Sequence, residues 1–214
     1  MTVNPNAITN FGRNRAQLEE LVLFGTLVAG KPAHRMAALL DRILINGRLQ
    51  HSTDMTPFDL IRVWIENDTL GQVLRAYNVG QYTRIERCWR ELTAITPCKP
   101  KLEHDGTLTY LNRVDLKSVA QLEAVHGIGP KTARFVVLHS VKGARCIPVD
   151  THWLKELASL GYPVRKDVVV NGRTHAIYEG YALQEVDKSG LTCAAKDQAV
   201  WLKWTRTIVQ QRAA

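Results

Sequence analysis

The sequence predicts an all-α fold, and three observations carry that prediction. Apolar residues recur at three- and four-residue steps through nearly every segment. Helix-start and helix-stop signals fall between those segments. The one stretch without helical pattern, 97–115, is short beside the whole. With 214 residues, 45% hydrophobic and 22% charged, the chain can bury a sizeable core, as one large domain or two small lobes.

Taken in order, a first helix is expected over 15–29, where Leu18, Leu21, Val22, Gly25 and Val28 form an amphipathic stripe. Pro32 suits the first turn of a second helix, 32–45, which places Met36, Leu39, Leu40 and Ile43 on one face. Thr56-Pro57 opens a third, with Leu60, Ile61 and Trp64 inward, and Asn67-Asp68 ends it. Two more are expected over 69–77 and 81–95. The second of these alternates Arg84, Arg87 and Arg90 with Ile85, Cys88 and Leu92, which predicts a basic outer face, either a solvated surface or a DNA contact. In 97–115, two prolines and Asp105-Gly106 indicate a loop with a small β-hairpin at most, long enough to touch a ligand or partner. Helices resume at Leu116 and continue, with turns, to the end.

Composition narrows the partner. Twenty-eight Lys and Arg against 20 Asp and Glu give a net charge of +8, which fits either a protein that works against a polyanion, of which nucleic acid is the commonest, or a merely soluble basic protein. No signal peptide is visible and no apolar run approaches the ~18 residues of a membrane span, so an intracellular chain is expected, cytoplasmic at the nucleoid or nuclear, monomeric and away from membranes. Cys88, Cys98, Cys146 and Cys193 contain no Cys-x-x-Cys pair, so neither a zinc site nor an iron–sulfur cluster is indicated. They read as scattered reduced thiols, and no metal or cofactor is expected.

The informative stretch is 122–137. A short helix runs into Gly127-Ile128-Gly129, and a second begins at Pro130. Two glycines about one apolar residue permit a sharp turn, with Ile128 pinning it to the core. Pro130 starts the second helix where its missing N–H costs nothing. The amides exposed there, backed by the helix dipole, form a seat for a DNA phosphate, which reads backbone rather than sequence. An ordinary αα-turn with a glycine stop has the same Gly-x-Gly, so the turn alone does not decide.

The string Val125-His126-Gly127-Ile128-Gly129-Pro130-Lys131-Thr132-Ala133, followed by Ile147-Pro148-Val149-Asp150-Thr151-His152, resembles the hairpin and Asp motif of the helix-hairpin-helix (HhH-GPD) DNA glycosylases. That superfamily includes endonuclease III and the 8-oxoguanine glycosylases. Lys131 and Asp150 stand nineteen residues apart, similar to the 8-oxoguanine branch and one more than in endonuclease III. More loosely, Asn78-Val79-Gly80-Gln81-Tyr82 is similar to a turn these enzymes place before a basic helix, and 197–202 falls where the family has its closing helix. The resemblance implies a central lobe of 30–142, with the hairpin at about 118–141, and a second lobe joining 1–29 to 143–214. Lys131 and Asp150 would face each other across a DNA-binding cleft between them.

It also implies a chemistry. Base removal breaks an N-glycosidic bond through an oxocarbenium-like sugar, whose positive charge a carboxylate near C1′ stabilises. An uncharged lysine amine attacking C1′ forms a Schiff base that permits β-elimination of the 3′ phosphate. The expected protein is therefore a DNA glycosylase with AP-lyase activity, acting on a flipped damaged base in double-stranded DNA, with a lean to 8-oxoguanine. Lys131 and Asp150 are its candidate catalytic pair. Asp150 also precedes a clear helix, so a capping role worth ~1 kcal/mol is open, and it is compatible with catalysis. Lys131 could instead bind phosphate in a monofunctional enzyme. Gly127, Ile128, Gly129 and Thr132 are the expected DNA contacts of the turn, with Arg134 and Lys31 adding charge. Trp153, Phe135, Trp201 and His152 are candidate walls for the flipped base.

Two departures separate this chain from the family pattern. The four-cysteine cluster of endonuclease III is absent. Where relatives carry a Gln or Asn that fills the gap left by the flipped base, this chain has Ala29-Gly30-Lys31-Pro32. Two alternatives therefore stay open: a phage-type transferase that modifies thymine and leaves the glycosidic bond intact, and a non-catalytic helix-hairpin-helix DNA-binding module.

Overall fold

A computed structural model describes residues 3–94, 101–102, 108–109, 114–165 and 172–213. Its described residues are all-α apart from one antiparallel pair of two-residue strands. The chain divides into two compact units, one of 1–7 with 13–128 and one of 8–12 with 129–214. The boundary falls at Ile128–Gly129, within the glycine turn itself. This division differs from the expected lobes of 30–142 and the remainder: the first helix belongs with the helices that follow it, and the helix after the turn belongs with the C-terminal half.

In the first unit, α1 (Arg15–Leu27) is buried at every residue from 18 to 27. The expected amphipathic stripe is thus a fully enclosed helix, in contact with α2 (Ala33–Gln50), α3 (Pro57–Glu66) and α5 (Tyr82–Thr93). Enclosure carries two carboxylates, Glu19 and Glu20, into the interior. Glu19 accepts the Phe58 backbone N–H at 3.1 Å, satisfying a donor at the start of α3, and meets Arg15 at 2.9 Å. Asn14 with Gln17 and Thr56 with Asp59 close capping boxes at the starts of α1 and α3. Helix α2 runs one turn past the expected end, and Pro32 is its N-cap rather than its first residue. The short α4 (Leu70–Ala76) leads through left-handed Asn78, Gly80 and Gln81 into α5. Trp64, Trp89, Phe58, Leu21 and Ile61 fill the core.

The basic face expected on α5 is not displayed as such. Arg84 turns inward, donating to the Thr26 carbonyl at 2.8 Å and the Gly127 carbonyl at 2.9 Å. Arg87 pairs with Glu91 and Arg90 with Glu86, each one helical turn away, so much of the charge is neutralised locally. Of the expected 97–115 loop, residues 101–102, 108–109 and 114–115 are described; β1 (Lys101–Leu102) pairs with β2 (Leu108–Thr109), Lys101 opposite Thr109. Most of that loop lies outside the described residues. The unit ends with α6 (Val119–Glu123), begun by Ser118.

The second unit holds α7 (Pro130–Leu138), α8 (Thr151–Ser159), α9 (Gly172–Ser189) and α10 (Cys193–Ala213). Helix α9 contacts α7, α8 and α10, and α8 contacts α10. Between α7 and α8 the segment 144–150 is neither helix nor strand, and 146–149 is buried. Among the described residues, no helix is long and apolar enough to cross a membrane.

Candidate active site

The turn that leads into the site uses its two glycines differently. Gly127 sits at φ +82°, a left-handed conformation that side chains resist, and a Cβ there would stand 3.3 Å from Arg84 Cγ. Ile128 is 4% exposed and anchors the turn as expected. Gly129 is the N-cap of α7 in extended conformation, with no side chain capping the helix. Among the described residues a Cβ on Gly129 would meet nothing within 4 Å, so none of them demands glycine there. Pro130 occupies the first helical position, and Lys131 and Thr132 follow in the first turn, both half-buried.

Lys131 and Asp150 come together: Lys131 Nζ lies 3.9 Å from Asp150 Oδ2. The Lys131 side chain is 44% exposed and that of Asp150 19%, so the amine is reachable while the carboxylate is recessed. Asp150 is the N-cap of α8. Its Oδ1 accepts the backbone N–H groups of His152 at 2.9 Å and Trp153 at 3.1 Å. Its Oδ2 faces Lys131 and, at 3.2 Å, His152 Nδ1, whose N–H tautomer donates to it. Capping and pairing therefore occupy different oxygens of one carboxylate. Burial pushes the Asp150 carboxyl up, but the His152 hydrogen bond, the Lys131 charge and the Trp153 N–H outweigh it and hold the group below the usual carboxylate range. The arrangement presents a fixed anion beside an accessible primary amine.

The remaining expected site residues separate into two groups. His152 borders Asp150, and the Trp201 ring stands edge-on to the His152 ring at 6.4 Å between centroids. Trp153 is 1% exposed, with its indole N–H donated to Asp197 at 2.7 Å, and Phe135 sits against the His139 ring at 5.1 Å. Trp153 serves the interior, while Phe135 is half-buried. Arg134, expected as a DNA contact, has its guanidinium on Glu179 at 2.6 Å. Lys31 belongs to the first unit and donates to the Val79 carbonyl at 2.7 Å; burial, then the nearby Arg84 charge, lowers its pKa.

Sequence reasoning missed the residues behind the pair. His175 and Glu179, one turn apart on α9, accept the backbone N–H groups of Val149 at 3.1 Å and Ile147 at 2.9 Å. Burial raises the Glu179 pKa, but His175, the Ile147 N–H and Arg134 together hold it below its ordinary value. Asp197 accepts from Trp153 and stands 3.1 Å from His139 Nε2, whose Nδ1 meets Thr9 Oγ1 at 2.9 Å. A signal was available: His175 and Glu179 share the helical stripe of Tyr178, Ala182 and Val186, where a core face carries polar side chains.

Burial pushes the thiols of Cys88 and Cys146 up to about 12, as inert core cysteines. Among the described residues no group of three or more His, Cys, Asp or Glu side chains is placed to hold a metal ion. A groove of about 410 Å³ in the first unit, lined by Ile43, Trp64 and Tyr77 among others, contains none of the candidate site residues. No known protein family, curated protein or solved structure matches this chain.

Proposed function

We propose that this protein is a DNA base-excision glycosylase with associated lyase activity, in which Lys131 is the nucleophile and Asp150 the electrostatic partner. The observation that carries the reading is the 3.9 Å approach of Lys131 Nζ to a capped, recessed Asp150 carboxylate, built from two sequence blocks that resemble those of the helix-hairpin-helix glycosylases. In this reading the duplex backbone seats on the turn at 127–129 and the first turn of α7, where open space about Gly129 suits a phosphate. A damaged base is flipped out, with 8-oxoguanine the favoured candidate, and Trp201 and His152 border its approach. Lys131 first gives up a proton to solvent; the free amine then forms a bond to C1′ as the C1′–N bond breaks, and the base leaves with that electron pair and takes up the proton that the newly formed ammonium releases. Asp150 stabilises the positive charge that develops on the sugar. Ring opening gives the Schiff base, from which β-elimination releases the 3′ phosphate.

The test incubates the protein with duplexes bearing 8-oxoguanine, uracil, a thymine–guanine mismatch, an oxidised pyrimidine or an abasic site, in the presence of borohydride. The expected result is a covalent adduct that disappears in Lys131→Ala, with base release reduced by on the order of 10²–10³ in Asp150→Asn. Release without an adduct would make the enzyme monofunctional and Lys131 a phosphate ligand. Duplex binding with neither release nor adduct would reject the glycosylase reading. A second reading, a thymine-modifying transferase that leaves the glycosidic bond intact, draws on Lys31. At the position where relatives fill the gap in the duplex, that side chain is held on the Val79 carbonyl. DNA carrying activated 5-substituted thymine tests it.

A further inference from the structure

Residues 144–150, which deliver Asp150, form neither helix nor strand. The buried backbone N–H groups of Ile147 and Val149 need acceptors. Helix α9 gives Ile147 its acceptor, Glu179 Oε1 at 2.9 Å, while the Val149 N–H is shared between the chain's own Ile147 carbonyl at 3.0 Å and His175 Nε2 at 3.1 Å. The acceptance at Nε2 leaves the proton on His175 Nδ1, which stands 3.6 Å from Glu179 Oε2, beyond hydrogen-bond distance. The same Oε2 receives Arg134 Nε at 2.6 Å, and Arg134 lies one turn beyond Lys131 on α7, with a further bond from Nη1 to the Pro130 carbonyl at 3.4 Å. These links form a closed circuit. From Lys131 it runs along α7 to Arg134, across to Glu179, onto the Ile147 amide, and along the chain to Asp150, which returns to Lys131. His175 and Glu179 are 1% and 9% exposed, so water does not compete for these bonds.

We infer that Arg134 and Glu179 are positioning residues whose bridge sets the separation of Lys131 and Asp150, an inference that rests on reading those two as the reacting pair. Neither touches the reacting atoms. Their effect is geometric: a displacement of about 1 Å between two reacting groups can cost on the order of 10²-fold in rate.

The experiment uses the full chain with Glu179→Gln and, separately, Arg134→Lys, which keeps the charge and the stem but loses the guanidinium geometry. Thermal melts establish that each is folded. The first readout is an NMR titration of the Asp150 carboxyl carbon, which requires no DNA and no activity. Relaxing the bridge moves Lys131 away from Asp150 and raises its titration midpoint in both variants. Loss of the Glu179 charge by itself, without movement, lowers that midpoint, because a negative neighbour has gone, so the sign separates the two causes. The second readout is borohydride trapping on an abasic duplex, expected to slow about 10–100-fold with duplex Kd changed less than twofold. A raised midpoint in both variants supports the bridge. A midpoint unmoved or lowered in either variant overturns it, whatever the trapping rate. If the wild-type protein traps nothing, the lyase reading fails while the titration still decides the bridge.

Discussion

Glu19 in the first unit and Glu179 in the second are the same device put to different ends. Each is a buried helical carboxylate that accepts a backbone N–H from a segment packed against it and pairs with an arginine through the remaining valence. Glu19 satisfies the Phe58 amide at the start of α3 and thereby fixes one helix against another. Glu179 satisfies the Ile147 amide of the segment that ends in Asp150 and thereby fixes one half of the proposed reacting pair. A buried charge is costly unless its lone pairs are filled, so both sites are fully engaged. What differs is the cargo of the segment being held. The comparison teaches that a polar residue on a buried helical stripe is a statement about backbone elsewhere, and that its importance depends on what that backbone carries.

That contrast can be broken by experiment. The largest effect is expected from Glu19→Ala, which leaves the Phe58 amide buried without an acceptor. Chemical denaturation should show a loss of about 1–3 kcal/mol. Borohydride trapping per folded molecule should stay at the wild-type rate, and a fall of tenfold or more there would show that the first unit also tunes the chemistry. Next comes Gly127→Ala. An alanine forced to φ +82° beside Arg84 should cost about 1–2 kcal/mol in the same assay, and an unchanged midpoint would mean that the turn relaxes out of the left-handed region.

A smaller effect is expected in acid. Asp150 and Glu179 are both held below the ordinary carboxylate range in the folded chain. Their contribution is complete above the unfolded values of about 4 and is lost as pH falls through the lower, folded ones. Stability should therefore be flat near neutrality and decline below about pH 4, with a shallower decline in Asp150→Asn. A variant whose acid limb superimposes on the wild type would show that Asp150 gains nothing from its partners. The smallest change in stability is expected from Gly129→Ala, within about 0.5 kcal/mol, since the space around it is open. Duplex binding should nevertheless weaken, because the added methyl occupies the approach to the first turn of α7. Unaltered binding would move the phosphate seat elsewhere.

How far the sequence could be read follows from the range over which each signal acts. The all-α class, the start of α3 at Thr56-Pro57, the glycine turn ahead of Pro130 and the placement of Asp150 just before α8 were all legible, because periodicity, capping and turn chemistry are local. Lys131 and Asp150 were legible as a pair only through a resemblance in spacing. The fate of Arg134 was not: a basic residue three positions past a candidate nucleophile reads equally as a DNA contact or an internal partner, and the deciding carboxylate lies 45 residues further on. Arg84 was misplaced for the same reason, since the carbonyls it serves come from Thr26 and Gly127.

By itself, the sequence determined where helices begin, where the chain turns, and which lysine and aspartate stand at helix starts, because those features depend on neighbours within a few residues. Only the tertiary structure decided that α1 is enclosed from 18 to 27, that Trp153 serves the interior while Trp201 stands against the His152 ring, and that α9 furnishes the acceptor for the Ile147 amide of the segment carrying that aspartate. Burial and hydrogen-bond satisfaction are properties of groups brought together from distant parts of the chain, and a pattern read along one helix cannot specify the donor that its buried carboxylate will meet.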